Sequence, residues 1–100
     1  RWREWRVPGA NPMIYAVYVD EFDKVWLTDF GANALWRFDP SRSSFTKVEL
    51  PSTGADVRQL LGRRGEVWGA ESGTDKLVVV IGGSLGAGSL NDAALGLYER

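Results

Sequence analysis

An internal repeat constrains this 100-residue chain more than any other feature. Val25-Trp26 and Val67-Trp68 lie 42 positions apart, and the same offset aligns residues 25–35 with residues 67–77 without a gap. Residues 45–51 also resemble residues 2–8, at an offset of 43. The sequence therefore predicts successive copies of one structural unit of about 40 residues.

Alternating apolar and polar residues predict short strands in each copy. In the first copy the predicted strands are 13–20, 24–29, 34–38 and 45–50, and in the second they are 57–61, 66–71 and 76–81. A period of about 40 to 45 residues built from short strands is typical of β-propeller blades. An ordinary antiparallel sheet or sandwich is the alternative interpretation.

The predicted fold class is all-β, with about two four-stranded antiparallel propeller blades. Residues 1–81 hold the blades: 1–8 as the outer strand of a preceding blade, 12–51 as a complete blade and 54–81 as a partial blade. The repeat stops after Ile81. We therefore treat residues 82–100 as a separate segment, to which we assign no function.

This C-terminal segment begins with a run rich in glycine and serine, which is typical of a linker. Residues 89–100 then allow a short helix, because Ser89 is a favourable N-cap and Asp92 lies in the first turn. Gly96 weakens this helix. The glycine-rich run lacks the Gly-Lys-Ser/Thr ending of a phosphate-binding loop, so we interpret it as a linker.

The composition excludes several kinds of function. The chain has 12 basic and 13 acidic residues, and the net charge of −1 gives no field that would attract nucleic acid or an anionic membrane. No run of apolar residues is long enough to span a bilayer, and the N-terminus lacks the apolar segment of a signal peptide. The absence of cysteine excludes disulfides and thiolate chemistry. These features favour a cytoplasmic location.

Three runs of the sequence resemble the streptogramin B lyase (virginiamycin B lyase) family, specifically its C-terminal blades. They are Asn11-Pro12-Met13-Ile14-Tyr15-Ala16-Val17-Tyr18-Val19-Asp20, Lys24-Val25-Trp26-Leu27-Thr28-Asp29-Phe30-Gly31-Ala32-Asn33 and Gly65-Glu66-Val67-Trp68-Gly69-Ala70-Glu71-Ser72-Gly73. The resemblance covers about eighty residues, since it runs from residue 2 to residue 80. It implies a fragment of a seven-bladed propeller with a magnesium-dependent site on its top face.

The resemblance also implies an activity, namely antibiotic resistance through opening of the type B streptogramin ring by elimination at its ester bond. That lyase chemistry needs a base that removes a proton next to an ester carbonyl and a cation that stabilises the enolate-like charge formed. The family uses histidines and a glutamate with Mg²⁺, and this chain has no histidine. We therefore expect the isolated chain to be inactive, and the alternative function is a non-catalytic propeller-blade module for structure or interaction.

Three residues are the candidates for a position near a ligand or metal ion. Asp29 and Glu71 occupy the same repeat position, at the end of each blade's second strand. They are expected either to help hold Mg²⁺ or to accept backbone hydrogen bonds that fix the following turns, at Gly31 and Gly73. Arg58 is expected either to face the channel and meet an anionic or carbonyl group, or to be exposed or paired within the chain.

Trp26 and Trp68 also share a repeat position, so we expect both to support packing between blades rather than ligand stacking. Each blade of a propeller is stabilised by its neighbours, and two blades leave two faces without a partner. The expected partners are therefore copies of the same chain or the remaining blades of a longer parent chain. We expect neither a nucleic acid nor a membrane partner.

Overall fold

A computed structural model describes residues 1–81 and 95–98 of the chain. All regular elements in this part are β-strands, which confirms the predicted all-β class. No helix among these residues has the length and apolar character needed to cross a membrane.

Eight strands form two antiparallel sheets of four strands each, and each sheet follows chain order. The first sheet contains β1 (Ile14–Val19), β2 (Val25–Asp29), β3 (Ala34–Asp39) and β4 (Ser44–Glu49). The second sheet contains β5 (Val57–Arg63), β6 (Glu66–Glu71), β7 (Lys76–Ile81) and β8 (Leu95–Tyr98). The seven strands predicted from the repeat therefore lie where the alternation of apolar and polar residues indicated.

The two sheets repeat one another in their turns as well as in their strands. Asp23 and Gly65 lie 42 positions apart and have φ values of 60° and 76°. Asn33 and Asp75 share the same offset, with φ values of 52° and 60°. Because left-handed backbone is costly for most residues, glycine, asparagine and aspartate at these positions favour the same turns in both sheets.

The hydrophobic core lies between the two sheets. One face of the first sheet, which includes Trp26 and Leu35, packs against a face of the second sheet that includes Leu60, Val67 and Val78. These five side chains are all buried. Each sheet is therefore covered on one face by the other, as consecutive blades of a propeller are.

A close fit at the edge of this core fixes the distance between β1 and β5. The ring of Tyr18 lies directly over Gly62, and a Cβ atom at position 62 would overlap the tyrosine ring and its hydroxyl. Glycine therefore permits a close approach here, and its φ is not unusual.

The N-terminal segment differs from the prediction, because residues 2–7 form no strand. A strand needs a neighbour that satisfies its backbone groups, and no described strand pairs with this segment. Trp5 instead packs on Phe38, at 4.9 Å between ring centroids, and its indole N–H donates to Ser43 Oγ at 3.1 Å.

The predicted C-terminal helix is wrong over residues 95–98, which form β8 beside β7. The open edge of β7 provides backbone partners for this segment, and sheet pairing there outweighs a weak local helix preference that Gly96 reduces further. The second blade, expected to be partial, thereby gains a fourth strand. The rest of the predicted linker and helix, residues 82–94, 99 and 100, lies outside the described residues.

Candidate functional site

Two backbone irregularities mark the same end of both sheets. The register between β1 and β2 shifts between Ile14 and Val17, and the register between β5 and β6 shifts between Val57 and Gln59. Such bulges add an unpaired residue that turns a side chain away from the regular sheet face, and they are frequent next to functional sites. Equivalent bulges in both sheets therefore define the candidate site.

Tyr15 and Arg58 lie within these shifts and are exposed, 43 positions apart in the sequence. The Arg58 guanidinium lies 5.8 Å from the centroid of the Tyr15 ring, and that ring stacks on Phe30 with centroids 5.4 Å apart. Arg58 Nε also donates to Ser72 Oγ at 3.1 Å. Arginine, two aromatic rings and a hydroxyl thus form one exposed polar and aromatic surface, which we call the bulge platform.

Asp29 is the last residue of β2, directly before Phe30 of this platform, and only 2% of its surface is exposed. Its Oδ1 accepts hydrogen bonds from the backbone N–H groups of Met13 and Gly31 at 2.9 Å and of Ala32 at 3.2 Å. Its Oδ2 accepts the indole N–H of Trp36 at 2.8 Å. Burial raises the pKa of Asp29, but these hydrogen bonds outweigh burial and hold the pKa below its usual value.

Glu71 takes the same repeat position in the second sheet with a different set of contacts. Its Oε1 accepts the hydroxyl of Thr74, while its Oε2 is buried without a hydrogen-bond partner among the described residues. The turn that follows is fixed by backbone groups, because the N–H of Gly73 donates to the carbonyl of Ala55 at 2.9 Å. The expected backbone role therefore applies to the carboxylate of Asp29 and not to that of Glu71.

The fit of these acids to a magnesium site is poor. Mg²⁺ requires several oxygen ligands in a near-octahedral arrangement. Both oxygens of Asp29 already accept protein hydrogen bonds. Across residues 1–81 no three acidic, histidine or cysteine side chains are placed to share an ion. The contacts of Asp29 therefore favour its structural role over a role as a metal ligand.

The repeat positions chosen from the sequence have clear structural roles. Trp26 is fully buried between the sheets. Trp68 is partly buried on the opposite side of the second sheet, and its indole N–H donates to Glu66 at 2.8 Å. Added Cβ atoms at Gly31 and Gly73 would meet the backbone carbonyls of Asn11 and Gly54 respectively, so both glycines permit the same close approach of a loop.

Two residues that matter here were not predicted from the sequence. Tyr15 belongs to the bulge platform, and its position 43 residues before Arg58 was the available signal. Asp20 is buried, and its Oδ2 accepts the indole N–H of Trp26 at 2.8 Å while its Oδ1 accepts the N–H groups of Phe22 and Lys24. The sequence signal for these hydrogen bonds was an aspartate directly before a turn.

The fold and the repeat together define this chain as two consecutive blades of a β-propeller. No protein-family model matches the sequence, and no curated protein matches it significantly. Among solved structures, it resembles a catalytically inactive histidine-to-alanine variant of virginiamycin B lyase from Staphylococcus aureus with quinupristin. The TM-score is 0.79 at 24% identity, over 98% of this chain and 30% of that chain.

Two further structures give the same result. Selenomethionine-substituted virginiamycin B lyase from Staphylococcus aureus has a TM-score of 0.70 at 24% identity, over 87% of this chain and 27% of that chain. A streptogramin B lyase structure has a TM-score of 0.72 at 24% identity, over 87% of this chain and 26% of that chain. The chain thus spans about a third or less of these proteins, and at this identity the likeness establishes the blade fold.

Proposed function

We propose that this chain supplies two adjacent blades of a streptogramin lyase-like propeller and that, alone, it does not open the depsipeptide ring. The observation that carries the proposal is the hydrogen bonding of Asp29. Its carboxylate, at the ligand-facing end that the resemblance implies, is fully engaged by backbone and indole donors. The chain also has no histidine to act as the base.

The elimination itself defines what must be supplied from outside these blades. A base removes a proton from the carbon next to the carbonyl, the ester C–O bond breaks, and the product is a linear peptide with a new C=C bond. Buried Asp29 and Glu71 are not placed to take that proton from a bound ligand. On this proposal the base, and the magnesium ligands that the resemblance implies, belong to other blades.

The test is an activity measurement on the purified chain with quinupristin and Mg²⁺. Elimination gives a linear isomer of unchanged mass that absorbs in the ultraviolet, whereas hydrolysis adds the mass of water. Chromatography with mass detection separates the two. We expect no conversion above a buffer control, with the Staphylococcus aureus virginiamycin B lyase as the positive control. Magnesium-dependent conversion by the chain alone would contradict the proposal.

The bulge platform favours a second candidate function, in which the blades present Arg58 and Tyr15 to a ligand without chemistry. Guanidinium and aromatic groups side by side suit carbonyl groups and planar rings. This function is tested by NMR, with the amide chemical shifts of the chain followed as quinupristin is added. Shifts that saturate at Tyr15, Phe30 and Arg58 would support binding, and their absence would exclude quinupristin as the ligand of the platform.

A further inference from the structure

Arg37 is a buried cation in the first sheet. It lies in the middle of β3 and is only 7% exposed. Its Nε is buried without a hydrogen-bond partner among the described residues, and Arg37 forms no ion pair within residues 1–81. An arginine side chain stays charged in proteins, and a buried charge without a partner is costly. A negatively charged group is therefore expected beside Arg37.

The strand register places Arg37 in the layer between the two sheets. Arg37 lies directly opposite Trp26 on β2 and Thr46 on β4, and the side chains of directly opposite residues share one face of a sheet. Trp26 belongs to the buried cluster that both sheets form. Arg37 thus lies beside this cluster and not on an outer face.

The repeat indicates that the fold does not need a cation at this position. Val79 follows Arg37 by 42 positions and lies opposite Trp68 as Arg37 lies opposite Trp26. Val79 is 1% exposed. An apolar side chain therefore fills the equivalent position of the second sheet, and packing alone does not explain the charge in the first.

The acidic residue nearest to Arg37 along the same face is Asp39, which already has other partners. Its Oδ1 accepts the N–H and the hydroxyl of Ser41 at 3.0 and 2.7 Å, and it lies 3.7 Å from Nζ of Lys24. Lys24 therefore offsets the charge of Asp39, and Arg37 is left without a counter-ion of its own in the described part of the chain.

Asp20 is the other acid on this face, and it lies beyond Trp26. It extends from β1, two strands from Arg37, which is about 10 Å by the spacing of strands. Its oxygens accept the indole N–H of Trp26 and two backbone N–H groups. At that distance and with those contacts, Asp20 does not provide the acceptor that the guanidinium of Arg37 lacks.

A small ion can approach Arg37 from the side of β4, the edge strand of the first sheet. Along this row the side chains become more accessible, because Trp26 is fully buried whereas Thr46 is half-buried. Ser44, on the same face of β4, is exposed. The hydroxyl of Thr46 is also a hydrogen-bond donor, so the open side of the row is polar.

We propose that Arg37 binds a small oxyanion, a phosphate or a carboxylate, with the hydroxyl of Thr46 as a second donor. A guanidinium donates two parallel N–H groups to such an anion, and these charge-assisted hydrogen bonds are stronger than neutral ones. Arg37 and Asp29 lie towards opposite ends of β2. The proposal therefore depends neither on lyase activity nor on binding at the bulge platform.

NMR tests the proposal through the side-chain Nε–H signal of Arg37, which is assigned by its loss in Arg37→Lys. Inorganic phosphate is added to the full chain while sodium chloride keeps the ionic strength constant. We expect this signal and the amide signal of Thr46 to shift along one saturating curve. The melting temperature should also rise, by about 5 °C or more when phosphate reaches about ten times its dissociation constant.

Arg37→Met removes the donors and retains a long side chain that can stay buried. It should abolish both the saturating shift of the Thr46 amide and the rise in melting temperature. Arg64→Met is the matched control, since it removes the same charge from an exposed turn, and it should retain both responses. Should Arg37→Met not fold, Thr46→Val removes the second donor with little change of shape. It should weaken phosphate binding by roughly 5- to 10-fold.

Acetate in place of phosphate distinguishes the two kinds of oxyanion. Saturation with phosphate alone would identify a phosphate group as the ligand, saturation with acetate alone would identify a carboxylate, and saturation with both would identify a general oxyanion site.

Two results would overturn the proposal. If the Arg37 signal did not saturate with either anion, Arg37 would have only water or general salt around it. If Arg37→Met melted far below Arg64→Met without added anion, Arg37 would be stabilised by a partner within the chain itself.

Discussion

Asp29 and Glu71 show how one repeat position can have two different structural roles. In the first sheet Trp36 donates its indole N–H to Asp29, but its equivalent in the second sheet is Val78, which has no donor. One carboxylate oxygen of Glu71 consequently lacks a hydrogen-bond partner within the part of the chain that the structure describes. A buried polar atom without a hydrogen bond reduces stability, so the second sheet is the less well satisfied of the two at this position.

This difference predicts opposite sensitivities to amide substitution. Asp29→Asn replaces one acceptor oxygen with an NH₂ group, which then faces either backbone N–H groups or the indole N–H of Trp36. We expect a loss of about 2 to 4 kcal/mol in the free energy of unfolding, since a buried network is broken. Glu71→Gln retains an acceptor for Thr74 and breaks no other side-chain hydrogen bond that the described residues make, so we expect a change below about 1 kcal/mol.

Denaturant unfolding of the two variants and the original chain measures both values under identical conditions. Equal losses for the two substitutions would contradict the assignment of Asp29 as the acid that fixes the turn. A larger loss for Glu71→Gln would mean that Oε2 has a partner that the structure does not show.

At the scale of strands, most of the architecture could be predicted because apolar residues alternate and the same pattern returns after 42 positions. The failures occurred where tertiary pairing overrides local preference. Ser89 and Asp92 indicated a helix, yet residues 95–98 pair with β7 as a strand. Residues 2–7 alternate like a strand but have no described strand beside them.

The candidate site was predictable only in part, for a related reason. The repeat indicated Asp29 and Glu71, and the position of Arg58 early in a predicted strand indicated the third candidate. The role of each depends on neighbours far apart in sequence. Trp36 and Met13 engage Asp29, and such partners follow from the register of the sheets rather than from any motif. The bulge that contains Tyr15 likewise arises from strand pairing, and the local composition does not predict it.

The contact of β1 with β5 gives a prediction about complementary volumes. Gly62→Val should overpack the space below Tyr18 and lower the free energy of unfolding by about 1 to 3 kcal/mol. Adding Tyr18→Leu removes the ring that blocks the valine. We expect the double variant to recover part of the loss.

A double-mutant cycle built from the three variants measures this coupling. A coupling energy of about 1 kcal/mol or more in the favourable direction is the expected result. Strictly additive losses would mean that the two strands adjust independently.

For the molecule as a whole, the position of the core makes the two sheets depend on one another. The buried cluster draws Trp26 and Leu35 from the first sheet and Val67 and Val78 from the second. Side chains of both sheets are therefore needed to form this cluster. In repeat proteins of this kind stability comes largely from the contacts between units, so the two sheets should unfold together.

Trp26→Ala tests this dependence most directly, because the side chain is fully buried at the centre of the contact. We expect a loss of about 3 to 5 kcal/mol and a single transition in which the amide signals of Leu35 and of Val78 disappear together. Trp2→Ala is the matched control, because Trp2 is 93% exposed. It should leave the midpoint of the unfolding transition unchanged. If the amide signal of Leu35 disappeared while that of Val78 remained, the second sheet would be stable without the first. The contact between the sheets would then not be the main source of stability.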